Sequence, residues 1–350
     1  MKDSEIKISI IIPVHNAASY LEQTLNSLVH QSLKEIEIIC INDGSTDGSL
    51  DILKTFSKQD NRIKLINQIN KGIGLSRNLG ISLSRGEYIA FVDADDFVTE
   101  STYEKAYSKA LENDYDVVMF GFHCLLDDGS DIHPDVKKYF DIASLFESEA
   151  IPDIFNYKDI KKNILRKSWN IWNKLYKAEF IKKNRLEFLN TYFQDSPFYL
   201  ETLVIAEKIG FLNEKLYTYR LQNPNSVTNT HYKSEKVFEF FIVVDEMKKM
   251  LLRRNKFEEL KIQYIEFKLV VLNAHFKSIV DDHLKKRYLK NIIYSVKQDG
   301  YSLEQLRNMK LALAPDHFLY SDEFSKEYFK FNIYNSLLIK LAKLNFRIFK

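Results

Sequence analysis

Three aspartates, Asp93, Asp95 and Asp96, directly follow the apolar run 90–92. In an extended segment alternate side chains point to the same side, so Asp93 and Asp95 suit two roles around one hard cation. A divalent cation held there can bridge two phosphates and neutralise the charge that builds on a leaving diphosphate. Helix capping by Asp95 and Asp96 ahead of 99–113 is the structural alternative, and spacing alone leaves both interpretations open.

Two further polar clusters follow apolar runs. In the cluster 42–47 we expect Asp43 to accept hydrogen bonds from a base or ribose and Asp47 to cap the next helix, although a plain polar turn needs the same residue types. The cluster 71–78 opens a helix with two glycines and the cations Lys71 and Arg77. A helix start of this kind suits an anionic diphosphate. Its spacing is not that of a P-loop, so the sequence does not indicate ATP chemistry.

The residues between these clusters alternate between strand and helix patterns. Amphipathic stretches such as Ala18–His30 separate short runs rich in β-branched residues. Strands separated by helices predict a mainly parallel, buried sheet and therefore an α/β fold. In such sheets ligands bind beyond the carboxyl ends of the strands, where the clusters 13–16, 42–47 and 93–96 fall. The predicted strands are Ile8–Ile12, Glu35–Ile41, Ile63–Ile66, Tyr88–Val92 and Asp116–Phe120.

The pattern changes after residue 120. Residues 127–131 read as a turn, 160–184 as helical with aromatics, and 216–221 as a late strand. From about residue 234 the pattern is almost entirely helical, so we place a domain at 1–230 and a helical extension at 231–350. The last segment, 335–350, has leucines on one face and lysines and arginines on the other, which suits either docking on preceding helices or contact with an anionic membrane surface.

Composition excludes several protein classes. Of 350 residues, 45% are hydrophobic and 28% charged, as in a globular protein that buries a substantial core. Fifty basic and 48 acidic residues leave a net charge of +2, which argues against nucleic-acid binding through bulk electrostatics. Two cysteines give no disulfide framework, and no targeting segment or run of ~20 apolar residues is visible. We therefore expect a cytoplasmic protein, with peripheral contact to the inner-membrane face if 335–350 binds lipid.

The ordered clusters resemble the family 2 glycosyltransferases. The matching segments are 9–16 (Ser-Ile-Ile-Ile-Pro-Val-His-Asn), 42–47, 70–78 and 91–96. The resemblance implies a GT-A fold, a nucleotide-diphospho-sugar donor of the UDP type, Mn²⁺ or Mg²⁺, and inversion at the anomeric carbon, in polysaccharide or lipopolysaccharide assembly. The residues that it implies for the donor site are Pro13, Val14, Asn16, Asp43, Lys71, Arg77 and Asp93, with Asp95 on the metal.

The resemblance also implies groups on the acceptor side. An inverting transfer needs one base to deprotonate the attacking hydroxyl. In the family this is a carboxylate of an acidic pair, and here Asp195 matches while Gln194 replaces the first acid. Helix capping is the alternative for Asp195. Trp172 is expected to offer a ring face to a glycan or lipid-linked acceptor, although aromatic residues at this spacing are more often part of the core. Arg220 is expected to close over the diphosphate or to form a surface ion pair.

Two other functions stay open from the sequence. A metal-dependent nucleotidyltransferase also joins an α/β nucleotide fold to carboxylates, but it needs a glycine-rich basic loop after the first strand, and 13–17 has neither glycine nor cation. A non-catalytic module that binds nucleotide sugars would keep the fold without the base. Measuring turnover distinguishes it from the transferase.

Overall fold

The computed structural model describes residues 6–126, 142–148, 150–166, 169–221 and 234–308. The strands are β1 (Ile8–Val14), β2 (Ile36–Asp43), β3 (Ile63–Gln68), β4 (Tyr88–Phe91), β5 (Phe97–Val98), β6 (Val117–Leu125), β7 (Lys174–Lys177) and β8 (Ile209–Arg220). The helices are α1 (Ala18–Val29), α2 (Ser49–Gln59), α3 (Ile73–Leu83), α4 (Thr102–Glu112), α5 (Ala178–Asn184), α6 (Asp195–Ile205), α7 (Glu239–Arg253), α8 (Phe257–Ser278), α9 (Asp282–Gln298) and α10 (Leu303–Asn308).

One eight-stranded sheet runs in the order β3-β2-β1-β4-β7-β6-β8-β5. The half formed by β3, β2, β1 and β4 is parallel, as predicted from the alternation of strands and helices. Every residue of β1 and β2 is buried, because a parallel sheet is covered on both faces. The predicted α/β fold and its first strands are confirmed.

The second half of the sheet differs from the sequence prediction. Among its described residues, 160–166 and 169–184, the segment 160–184 contains the short strand β7 and, as its only α-helix, α5. β7 lies antiparallel between β4 and β6. Four residues are too few to show a period, so only the pairing with two neighbours defines this strand. β8 confirms the predicted late strand and begins earlier, at Ile209.

The chain divides into two compact units, Met1–Asn229 with Val243–Gln263 and Thr230–Ile242 with Tyr264–Lys350. In the first unit Arg253, the last residue of α7, and the following Arg254 both bind Glu201 of α6. In the second, buried Lys268 pairs with Asp299 at 2.6 Å. The predicted domain boundary at residue 230 stays a prediction. Residues Val243–Gln263, which lie in the predicted helical extension, belong to the same unit as the sheet.

The membrane prediction concerns residues 335–350, which lie outside the described part of the chain. The predicted turn at 127–131 lies outside it as well. Among the described helices, none combines the length and apolarity needed to cross a bilayer.

Candidate active site

The predicted clusters meet at the carboxyl edge of the parallel strands. β1 and β2 are paired so that Val14 lies opposite Asn42, which aligns their ends. His15 Nδ1 lies 2.9 Å from the carbonyl oxygen of Asp43. Asn16, in the left-handed region at φ 50°, accepts a hydrogen bond from the Thr46 amide at 2.8 Å. Pro13 and Val14 are buried in the strand, so the exposed edge is formed by His15 and Asn16.

Asp43 holds the loop that begins α3. Its buried carboxylate accepts hydrogen bonds from the backbone amides of Lys71 at 2.8 Å and Gly72 at 2.9 Å, and from Gln68 Nε2 at 2.8 Å. A carboxylate has about four acceptor positions, so three are used by the protein. Asp43 therefore shapes the predicted donor loop, and contact with a base or ribose stays a prediction. The side chain of Lys71 is exposed.

The glycines of this loop allow close packing of the segment that precedes α6. A Cβ atom at Gly72, where φ is 98°, would lie 2.5 Å from Asn190 Oδ1. One at Gly74 would lie 2.0 Å from the Leu189 carbonyl oxygen. The two glycines therefore let this loop pack closely against residues 189–190, whereas the sequence predicted the close approach of a diphosphate. Asn78 completes this packing, since its side-chain amide exchanges two hydrogen bonds, of 2.9 and 2.8 Å, with the backbone of Phe188.

Arg77 joins two of the predicted site carboxylates. It is 1% exposed; its two terminal nitrogens donate to Asp195 Oδ1 at 2.5 Å and to Asp93 Oδ1 at 2.6 Å. The predicted contact of Arg77 with a diphosphate is contradicted in this structure, because burial leaves the guanidinium no open face. Arg77 instead holds the acid after β4 next to the acid that begins α6.

Asp195 is the first residue of α6, and about a third of its side chain, 35%, is exposed. Loss of hydration raises its pKa above the ordinary value; Arg77 opposes this shift, Asp93 adds to it, and a hydrogen bond from the Gln194 side chain lowers the pKa. The capping alternative is wrong: the N-cap residue is Gln194, and no side-chain capping bond is present at this helix start in the described structure. A partly exposed carboxylate with a raised pKa suits a general base.

Asp96 has a structural role. It is buried and accepts hydrogen bonds from Tyr217 Oη at 2.7 Å and from the Arg220 amide at 2.8 Å, which fixes the turn after β4 to β8. Burial, Asp93 and Asp95 raise the pKa of Asp96 well above its ordinary value. Neither it nor Asp95 caps a helix, since α4 begins at Thr102 after Ser101.

Asp95 and Arg220 lie at the surface of this turn. Both are half-buried, and Arg220 Nε donates to the Asp95 carbonyl at 3.2 Å. Its guanidinium also binds Gln23 at 2.8 Å and lies 4.7 Å from the ring centroid of Tyr20. The guanidinium therefore stays next to the acidic turn, and its contact with a diphosphate stays a prediction.

The acidic turn fits a hard cation only in part. Within the described residues, no three His, Cys, Asp or Glu side chains converge to form a protein ligand set. The charges of Asp93 and Asp95 nevertheless act on Asp96, so negative charge accumulates at this turn. A cation at Asp95 would take its other ligands from phosphates and water, as Mg²⁺ commonly does.

Trp172 is part of the core, and its predicted contact with an acceptor is wrong. It is 4% exposed and stacks on Tyr217 and Tyr219, with ring centroids 4.3 and 5.2 Å apart. Phe122 contacts it edge-on at 4.7 Å. These rings leave no free face for a sugar. Instead, the stack supports Tyr217, which holds Asp96.

Sequence reasoning missed several residues that build the site. The side chain of Gln68 binds Asp43, and that of Asn78 binds the backbone of Phe188. Tyr217 fixes the acidic turn through Asp96, and Lys174 lies buried in β7. A lysine within the apolar run 171–176 was the available signal for Lys174. The others looked like ordinary polar or aromatic residues of turns and strands.

Comparison with known proteins places the chain in a family. Residues 9–186 match the family Glycosyl transferase family 2. The uncharacterized glycosyltransferase EpsJ of Bacillus subtilis is 35% identical over 228 residues, 65% of this chain and 64% of EpsJ. The glycosyltransferase GlyA of Streptococcus pneumoniae is 34% identical over 62% of this chain and 31% of GlyA. The chain thus spans less than two thirds of either relative's length.

A solved structure shows the same fold. S. aureus TarS 1-349 in complex with UDP-GlcNAc aligns with a TM-score of 0.64 at 20% identity, covering 92% of this chain and 89% of TarS 1-349. This likeness confirms the predicted GT-A fold with a helical C-terminal region. Because the family match covers half of its residues, the chain belongs to glycosyl transferase family 2.

Proposed function

We propose that the chain is an inverting glycosyltransferase that moves a sugar from a nucleotide-diphospho-sugar, of the UDP type, to a hydroxyl group of a glycan or lipid-linked acceptor. The observation that carries this proposal is the Arg77 bridge between Asp93 and Asp195. It places a partly exposed carboxylate beside the edge of the sheet where nucleotides bind in α/β folds. Family membership gives no support to the nucleotidyltransferase alternative.

Asp195 is the proposed base. As the acceptor oxygen forms its bond to the anomeric carbon, the bond from that carbon to the diphosphate breaks and Asp195 takes the hydroxyl proton. A single displacement of this kind inverts the anomeric configuration. The raised pKa strengthens Asp195 as a proton acceptor, while Arg77 keeps it ionised and fixes its orientation.

Asp95 is the proposed ligand for Mn²⁺ or Mg²⁺, which supplies positive charge to the leaving diphosphate when bound. The accumulation of negative charge at the turn supports this role. Asp43 and Lys71 are the proposed nucleotide contacts, with Asn16 and Arg220 at the edges. That TarS was solved with UDP-GlcNAc supports a UDP-sugar donor here.

A panel of UDP-GlcNAc, UDP-glucose, UDP-galactose and GDP-mannose, with and without Mn²⁺, tests the proposal. We expect one UDP-sugar to raise the melting temperature and to be hydrolysed slowly, both in the presence of Mn²⁺. If no nucleotide sugar binds or is hydrolysed with metal present, the proposed function is wrong.

Asp95→Ala is expected to abolish metal-dependent binding of UDP while the melting temperature without ligand stays near wild type. The reason is that Asp95 holds the cation, whereas Asp96 fixes the turn. Asp114→Ala is the matched control, because Asp114-Tyr115-Asp116 has the same spacing but precedes β6. Calorimetric titration with UDP, with and without Mn²⁺, measures the effect. Wild-type metal dependence in Asp95→Ala would remove this residue from the metal site.

A further inference from the structure

Lys174 lies buried at the sheet edge from which the proposed catalytic groups project. It is the first residue of β7 and is 1% exposed. β7 pairs with β4 so that Leu175 lies opposite Ala90. Because the strands are antiparallel, Lys174 lies at the end of β4 that leads into the acidic turn.

The ammonium group of Lys174 contacts neutral acceptors. It donates to the Asn170 carbonyl oxygen and, at 2.8 Å, to Asn173 Oδ1. Among the described residues no carboxylate lies within 4.0 Å of Nζ. Lys268 provides the contrast, since it is equally buried but pairs with Asp299 at 2.6 Å. A buried lysine without a close counterion costs stability.

The charge that acts on Lys174 belongs to the proposed base. Nζ lies 5.1 Å from the ring centroid of Tyr199. Tyr199 follows Asp195 by four residues in α6, so both side chains lie on the same face of the helix, one turn apart. Burial lowers the pKa of Lys174 to about 7, and attraction to Asp195 opposes this shift.

We propose that Lys174 is a positioning residue that tunes the base, a buried positive charge behind Asp195 that favours the ionised carboxylate. The proposal rests on the function proposed above. It goes beyond the carboxylate, metal and nucleotide contacts by naming a second titrating group that acts through Asp195. The charged and titratable groups that act on Asp195 are Arg77 of α3, Asp93 after β4, and Lys174 and Tyr176 of β7.

The sign of the effect follows from the charges. Protonated Lys174 favours the ionised form of Asp195 and lowers the pKa of that carboxyl group. Asp195 can therefore act as a base down to a lower pH. As the pH rises through about 7, Lys174 becomes neutral and no longer acts as a charge on Asp195. Loss of the Lys174 charge therefore matters below neutral pH and has little effect above it.

Lys174→Met tests this directly, because methionine keeps the length and apolar stem and removes the charge. In the pH profile of UDP-sugar hydrolysis, we expect the acid limb to move up by about one pH unit, the size of shift that a nearby charge produces. The affinity for UDP should stay at the wild-type value. Lys268→Met is the matched control, and it should lower the melting temperature without moving the acid limb. An unmoved limb in Lys174→Met, or a uniform loss at every pH, would overturn the proposal.

A measurement without substrate keeps the proposal testable if the variant is inactive. In protein labelled with ¹³C at lysine Cε, the signal that disappears in Lys174→Met should titrate near pH 7. In Asp195→Asn its midpoint should fall, because the attraction that raises it is lost. A midpoint near the ordinary lysine value of about 10.4, or one that Asp195→Asn leaves unchanged, would contradict the coupling. Normal turnover by Asp195→Asn would instead count against the proposed base.

Discussion

Asp195→Asn is expected to lower kcat by about 10²–10⁴-fold, the range that general-base catalysis supplies. Affinity for UDP and Mn²⁺ should stay within a few-fold of wild type, because the base acts on the acceptor and only in the transition state. Asparagine keeps an oxygen that accepts from Arg77 but loses the negative charge and the ability to take a proton. Steady-state hydrolysis and calorimetry with the same donor measure both quantities.

Glu201→Gln is the matched control on the same helix. Glu201 binds Arg253 and Arg254, so its loss should cost stability and leave kcat near wild type. Turnover of Asp195→Asn within a few-fold of wild type would move the base elsewhere, with the exposed Asp153 as the next candidate. An inactive wild-type chain that still bound UDP would favour the non-catalytic module.

Arg77→Met is expected to have the largest effect on stability. Removing it leaves two neighbouring carboxylates without their shared counterion, and breaking a buried pair in this way costs about 3–5 kcal/mol. Asp93 and Asp195 are 24% and 35% exposed, so solvent screening favours the lower end, about 3 kcal/mol. Urea unfolding of the two proteins measures the difference. The pKa of Asp195 should also rise, so turnover should fall most at acid pH.

The double variant Arg77→Met with Asp195→Asn separates the bridge from general packing. Removing one of the two stranded carboxylates relieves the repulsion, so the double variant should be more stable than the sum of the single losses predicts. Arg77→Lys keeps the charge but loses the two-pronged geometry, and it should fold with reduced kcat. Additive losses of stability would show that Arg77 does not couple the two acids.

The sequence predicted the parts of the molecule that depend on local pattern. The parallel strands from Ile8, Ile36 and Ile63 and the acidic turn after β4 were expected, because buried parallel strands are continuous apolar runs bounded by polar turns. β7 was not expected, since it is defined by its partners β4 and β6.

The site shows the same limit more sharply. Asp93 and Asp195 were both identified, but nothing in their spacing showed that both bind Arg77, which lies 16 positions before Asp93 and 118 positions before Asp195. Trp172 was predicted to contact a sugar, but it is covered by Tyr217 and Tyr219. These residues are distant in sequence, so the local pattern around Trp172 did not show its burial. Roles that depend on which groups meet in space therefore came from the structure.

The anomeric configuration of the first sugar released from a UDP-sugar is the most direct test of the proposed mechanism. Wild-type protein, the hydrolysed donor of the panel and Mn²⁺ are mixed, and proton NMR follows the sugar before mutarotation equilibrates the anomers. A single displacement with Asp195 as the base predicts release of the anomer opposite to that of the donor. Release of the donor's own configuration would contradict a single displacement and, with it, the role assigned to Asp195.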